Sequence, residues 1–211
     1  ANINSAHPTE TNIGSKLWDP GQNAYTLKIG KWDNSTGNNA AFLKMGTSTL
    51  NKATISKATL KVYNIWHMSP TVKNDLWYYE ANANWSPWQV TWNTAPATTR
   101  LGSVNVGRGE WASLDVTNTV QAWASGKRPN YGFRLGTNSE QTYWKKLVAS
   151  ENNKNYPYLE VTYTYAKPEK PTVKTTSNGI GTGTGSLDLS WKAVPGATSY
   201  NIVISNGYNY E

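Results

Sequence analysis

Apolar side chains recur at every second position through most of this chain, the period of strands whose two faces meet different surroundings. Ala58, Leu60 and Val62 alternate with Lys57, Thr59, Lys61 and Tyr63, which predicts a half-buried strand. Ala41, Leu43 and Met45 alternate with Phe42 and Lys44, and Leu159, Val161, Tyr163 and Tyr165 with Glu160, Thr162 and Thr164. Clusters of Gly, Asn, Pro and Ser separate such runs across residues 1–165, the spacing of a two-sheet sandwich. The period changes in residues 114–135. Val116, Val120 and Trp123 fall there at helical spacing, with Asp115 or Thr117 placed to cap the start and Gly126 the end. After the Pro-Asn-Tyr-Gly turn the period returns to two, with Phe133 and Leu135 on one face and Arg134 on the other. The expected fold is all-β: a jelly-roll-like sandwich with one short helix.

At residues 166–171 the composition shifts to a short, stiff Pro/Lys linker, so residues 1–165 are expected to form one module and 172–211 another. In the second, LDLSWKAVPGATSYNIVI (187–204) resembles strands B and C of a fibronectin type III domain. The resemblance puts Trp191 in the core, Pro195 and Gly196 in the B–C turn, Tyr200 at the start of strand C, and the glycines of 179–185 in a flexible A–B loop. The stretch falls well short of the roughly 100 residues such a sandwich takes. Half a Greek key leaves open sheet edges, and these are expected to pack on the first module or to pair with a second copy. The natural protein is expected to continue beyond Glu211.

Composition narrows the chemistry. With no cysteine among 211 residues, disulfides, thiolate metal sites and cysteine nucleophiles are excluded. No run is long enough to span a membrane, and the first residues lack the basic-then-apolar pattern of an export signal, which is expected to have been removed or to lie upstream. The charge is +7, and residues 1–165 hold most of it, with 16 Lys and Arg against 10 Asp and Glu. A basic surface favours anionic partners such as acidic polysaccharide or teichoic acid.

The helix-to-strand segment LDVTNTVQAWASGKRPNYGFRL resembles the signature of the DNRLRE family, extracellular β-sandwich modules grouped with carbohydrate-binding modules. Three further stretches, in the family's order, carry the same resemblance: SKATLKVY (56–63), WSPWQVTWNTAP (85–96) and PYLEVTY (157–163). One departure is that the family's usual glutamate falls on Pro87, so any role of that carboxylate is absent. Together with the fibronectin-like stretch, the wording of the C-terminal residues resembles the N-terminal region of wall-associated Rhs/YD-repeat proteins of Bacillus, in which such modules precede a repeat shell and a C-terminal toxin. The resemblance implies a secreted, wall-associated, noncatalytic module that binds glycan. The competing reading is a structural or adhesive spacer working through protein contacts.

Eleven Trp and 13 Tyr stand against two Phe, so most rings carry a polar handle suited to half-wet positions. Sugar C–H faces stack on such rings. Trp85, Trp92 and Trp123 occupy family pattern positions and are expected in the core. The ligand candidates lie outside those positions: Trp66 and His67 in an expected loop before Ser-Pro, Trp77 and Tyr79 on one face of a strand, Trp88 beside Pro87, and Arg134, Tyr143, Lys145 and Lys146 as further ring and charge. A binder is expected to show a contiguous aromatic strip flanked by Lys or Arg.

Catalysis finds little support. His7 falls in an expected frayed terminus, and a lyase reading would need His67 to converge with Tyr79 or Tyr143 and with Arg134 in a cleft. Nucleic acid is not expected to meet an exported module, and no cofactor is implied. For metal, Asp33 and Asn34 offer hard oxygen ligands of the kind calcium takes, although a polar turn explains the same residues.

Overall fold

The structure, a computed structural model, describes residues 1–12, 25–138, 140–178 and 186–203. The chain divides into two compact units, Ala1–Thr164 and Tyr165–Glu211.

The first unit is an antiparallel two-sheet sandwich. Sheet A contains β1 (Asn2–Asn4), β2 (His7–Asn12), β4 (Asn39–Leu43), β6 (Asn74–Ala81), β7 (Thr98–Val106) and β9 (Phe133–Gly136), in the order β2-β1-β4-β9-β6-β7. Sheet B is organised on the long strand β5 (Thr54–His67). On one side of β5 lies β8 (Glu110–Asp115); on the other, β11 (Tyr158–Thr164) pairs with its first half and β10 (Lys145–Val148) with its last. Outside β10 lies β3 (Thr26–Ile29).

The predicted strands form because their apolar halves meet. Ala58, Leu60 and Val62 are buried against Leu114, Leu76, Phe133 and Leu135 in the core between the sheets. Helix α1 (Thr117–Ala124) presents Val120 and Trp123 to that core, beside Val116 just before it. Its start is held by an Asx turn rather than by a side chain of the cap residue. Asp115 Oδ1 accepts from the Thr117 amide at 2.9 Å and from its hydroxyl at 2.7 Å, and these bonds hold the Asp115 carboxyl below its usual range. Gly126 follows the helix at φ +73°, where glycine is at ease.

Strand β4 departs from a half-buried pattern. Ala41 and Leu43 face the central core, but Phe42 and Ala40 are equally buried on the outer side. There they join Ile3, Ala81, Trp85 and Val90 in a second cluster, with Trp92 and Tyr131 packed on it. The irregular segment 82–97 thus lies over one part of sheet A's outer face, fixed by Trp85, whose Nε1–H donates to the Tyr131 carbonyl at 2.6 Å. The expected frayed start is instead ordered: β1 pairs with β4, and His7 lies in β2, exposed and 3.3 Å from Glu10.

Glu80 is the buried carboxylate of the core side of β6. It accepts from Trp123 Nε1 at 2.8 Å and from Arg128 at 2.9 and 3.1 Å, tying α1 and the turn after it to sheet A. Arg128→Ala leaves that carboxylate with the indole alone. Because Arg128 is partly open to water, the expected loss is about 2 kcal/mol, below the full cost of breaking a buried pair. Urea unfolding of the variant beside Arg128→Lys measures it.

Among the described residues of the second unit, β12 (Lys174–Asn178) pairs antiparallel with β13 (Ser186–Ser190). Trp191 is half-buried and packs on Tyr200 at 5.4 Å, and the Tyr200 hydroxyl accepts from the Val194 amide at 2.7 Å. Tyr200 does not open a strand: residues 198–203 are irregular, and Ile202 and Val203 are exposed. The expected glycine loop, 179–185, and the end of the expected strand C lie outside the described residues.

Candidate functional site

Strand β6 points Leu76 and Tyr78 into the core, so by alternation Asp75, Trp77 and Tyr79 stand on the outer face of sheet A. Register brings partners from both neighbours. Trp77 lies opposite Ser103 of β7 and Gly136 of β9; Tyr79 lies opposite Arg100 of β7 and Arg134 of β9. A bulge between Tyr78 and Tyr79 shifts β7 by one residue and sets Arg100 beside both rings.

The Arg100 guanidinium lies over the Trp77 ring at 3.9 Å, and that of Arg134 over the Tyr79 ring at 4.8 Å. Both distances lie within the range in which a cation is attracted by an aromatic quadrupole. Trp77 is also held in its plane, where Nε1–H donates to Asp75 Oδ2 at 3.2 Å. Burial lowers the Arg134 pKa and the Tyr79 phenol opposes that shift, so the guanidinium remains a cation. Trp77, Tyr79 and Arg134 are half-buried and Arg100 is exposed. The result is a preorganised patch of two rings and two planar cations, able to stack on sugar rings and to bind carboxylate or phosphate bidentately.

Three of the nine expected ligand residues, Trp77, Tyr79 and Arg134, therefore share one face. Trp88 is 77 % exposed on segment 82–97, which lies on the same side of the sandwich. The others lie in sheet B or, for Tyr143, just before its strand β10. Trp66 and His67 are not in a loop: β5 continues to His67, with a bulge before Trp66 that breaks the alternation visible in the sequence. His67 is fully buried, with Nε2 2.9 Å from Asn74 Oδ1 and Nδ1 beside Ser69. Lys145 is fully buried next to it, where its ammonium donates to Asn74 Oδ1, to the Asp75 carbonyl at 3.0 Å and to the Tyr143 carbonyl at 3.4 Å. Burial removes both side chains from any surface a ligand could reach. Tyr143 is half-buried against the Lys145 ammonium, and Lys146 is covered, its ammonium 5.3 Å from the Trp144 ring.

The arrangement needed for a lyase does not form. His67 is sealed inside sheet B, while Tyr79 and Arg134 stand outside sheet A. In the 33–39 turn, Asp33 Oδ1 accepts from the Ser35 amide and hydroxyl at 2.8 Å and from the Thr36 amide at 2.9 Å, which lowers its pKa. Asn34 Oδ1 accepts from Lys31 at 3.1 Å, and no group of three His, Asp or Glu gathers among the described residues. Among these residues, no helix is long and apolar enough to cross a membrane.

Sequence reasoning missed Arg100. Its only signal was a lone arginine in TTRLGSVNV, a stretch whose alternation Gly102 and the bulge interrupt. It also passed over Trp32, which packs with Trp66 at 5.7 Å, as does Trp144 of the 143–146 stretch at 5.0 Å.

Comparison with known proteins gives a consistent picture. The sequence profile of carbohydrate-binding module family 96 matches residues 21–163, which covers most of the sandwich. The chain is 44 % identical over 212 aligned residues to the tRNA nuclease WapA of Bacillus subtilis, and 42 % identical to the tRNA3(Ser)-specific nuclease WapA of Bacillus spizizenii. In each case the alignment takes in 99 % of this chain but 9 % of the relative.

Proposed function

The chain belongs to carbohydrate-binding module family 96, and from that premise we propose that it is a noncatalytic module holding an anionic polysaccharide of the Gram-positive wall. The observation that carries this reading is the outer face of sheet A, where Arg100 and Arg134 stack on Trp77 and Tyr79. Rings without cations would suit a neutral glycan, and cations without rings would suit any polyanion. The paired arrangement suits sugar rings bearing carboxylate or phosphate. A pure spacer gives no reason to keep two guanidinium–aromatic pairs half in water.

The module is part of a larger secreted, wall-associated protein in this reading, in line with the resemblance to DNRLRE modules and to a first half of a fibronectin type III domain. The chain spans only 9 % of its WapA relatives, so the nuclease activity in their names is assigned to other parts of the whole protein. Teichoic acid is the favoured polymer, because the net charge of residues 1–165 is positive.

Sedimentation with purified Gram-positive walls tests this, with and without teichoic acid and at low and high salt. Binding is expected to require the anionic polymer and to weaken several-fold as salt rises, because exposed cations are screened. Binding indifferent to both variables overturns the anionic ligand and leaves a neutral glycan. No binding overturns the glycan reading and leaves the spacer.

A further inference from the structure

The outer face of sheet B repeats the chemistry of sheet A on the opposite side of the sandwich. Val62 and Leu60 of β5 face the core, so Lys61 and Tyr63 face outward, and register places Trp111 beside Tyr63 and Tyr158 beside Lys61. The rings touch edge to face in a row crossing three strands: Tyr63 to Trp111 at 5.3 Å, Trp111 to Tyr158 at 5.5 Å. Trp111 is 39 % and Tyr158 41 % exposed. Lys61 lies within this row, its ammonium donating to Ser113 at 2.8 Å.

A second group of rings lies farther along β5. The turn into β8 sets Gly109 beside the Tyr63 hydroxyl and Arg108 over the Trp66 ring at 4.8 Å. Trp66 in turn packs on Trp144 and on Trp32, which is 47 % exposed. Arg108 is anchored by two bonds to the His67 carbonyl, at 2.6 and 3.2 Å, so its cation is held in place over the ring. Two aromatic groups, Tyr63–Trp111–Tyr158 with Lys61 and Trp66–Trp144–Trp32 with Arg108, thus form a strip along the second half of β5. Because ring contacts already fix its members, little side-chain freedom is lost on binding.

We propose that this strip is a second polysaccharide site, and that the module holds one strand on each face and bridges them. The occupant is a second strand of the same polymer because the strip offers the same pairing, Arg108 on Trp66 as Arg100 on Trp77. The inference rests on the glycan-binding reading of sheet A. Two sites on opposite faces convert a tether into a cross-link, and increase retention on a polymer network through effective concentration.

The test uses the full chain with soluble teichoic acid polymer extracted from Gram-positive walls, intact for light scattering and shortened by sonication for calorimetry. Two binding events per chain and a rise in scattering are expected. Trp111→Ala combined with Trp66→Phe is expected to leave one event and abolish the scattering, as is Trp77→Ala combined with Arg100→Ala. A cooperative thermal transition within a few degrees of that of the unaltered chain establishes that each variant is folded. One event, lost with the sheet A variant and untouched by the sheet B variant, overturns the second site and leaves the proposed function standing. One event lost only with the sheet B variant overturns both the bridge and the sheet A assignment. No event with the unaltered chain overturns the reading on which both rest.

Discussion

Trp77→Ala weakens binding of the chain to anionic wall polymer by roughly 30-fold, about 2 kcal/mol, the loss expected for a central aromatic anchor. Three effects add. The stacking surface is removed, the Arg100 guanidinium loses the ring at 3.9 Å that holds it over the strand, and the Asp75 carboxylate loses its indole donor. The freed carboxylate then repels the polyanion. Trp77 lies on the outer face, opposite the core cluster that holds the sheets together, so the melting temperature is expected to fall by only a few degrees. Arg100→Lys discriminates further. It keeps the charge but loses the planar stack and the bidentate fork, and is expected to retain salt sensitivity while losing several-fold in affinity. Isothermal titration beside thermal unfolding checks both variants.

Lys145→Met is expected to lose about 3 kcal/mol of stability near pH 9, with little change in affinity per folded molecule. The substitution nearly conserves volume but strips a partner from the Asp75 and Tyr143 carbonyls inside the sandwich, and buried acceptors left unpaired cost about 1–3 kcal/mol each. The pH dependence identifies the cause. Burial lowers the Lys145 pKa to about 7, with Asp75 opposing the shift, and His67 and Tyr143 are the other titratable groups facing it. An unfolded lysine titrates near 10.4. Between these values the unfolded chain holds a proton that the native chain does not, so this group makes stability rise with pH above 7. The expected gain from pH 7 to pH 9 is about 2–3 kcal/mol. Urea unfolding at the two pH values should show the rise in the unaltered chain and its absence in Lys145→Met; a rise of equal size in both would assign it to other groups.

The two predictions fall on opposite sides of what could be read from the sequence. The strand around Ala58, Leu60 and Val62 and the helix stripe of Val116, Val120 and Trp123 were legible because their apolar atoms all face one core, and periodicity reports that directly. Trp77, Tyr79 and Arg134 were legible as candidates for the same reason: alternation set them on the far face of their strands. The buried group of His67, Asn74 and Lys145 was not. Each is polar, and each is tolerated inside only because the others satisfy it, a pairwise property that no single-residue pattern encodes. The bulge before Trp66 likewise made the last turn of β5 look like a loop. β1 was hidden by Asn2, fully buried yet bonded to the Lys28 and Ala40 carbonyls. Arg100 joins Trp77 and Tyr79 through register across β6 and β7, which only strand pairing fixes.

The central claim is that polysaccharide lies across Trp77, Tyr79, Arg100 and Arg134, and nuclear magnetic resonance of the chain titrated with sonicated wall teichoic acid tests it most directly. Eleven indole N–H signals report on eleven positions at once. The account predicts that the Trp77 indole signal and the Arg100 and Arg134 Nε signals shift together and saturably, while the core-bound Trp85 and Trp123 signals stay fixed. Saturable shifts elsewhere that leave the Trp77 signal unmoved would contradict it.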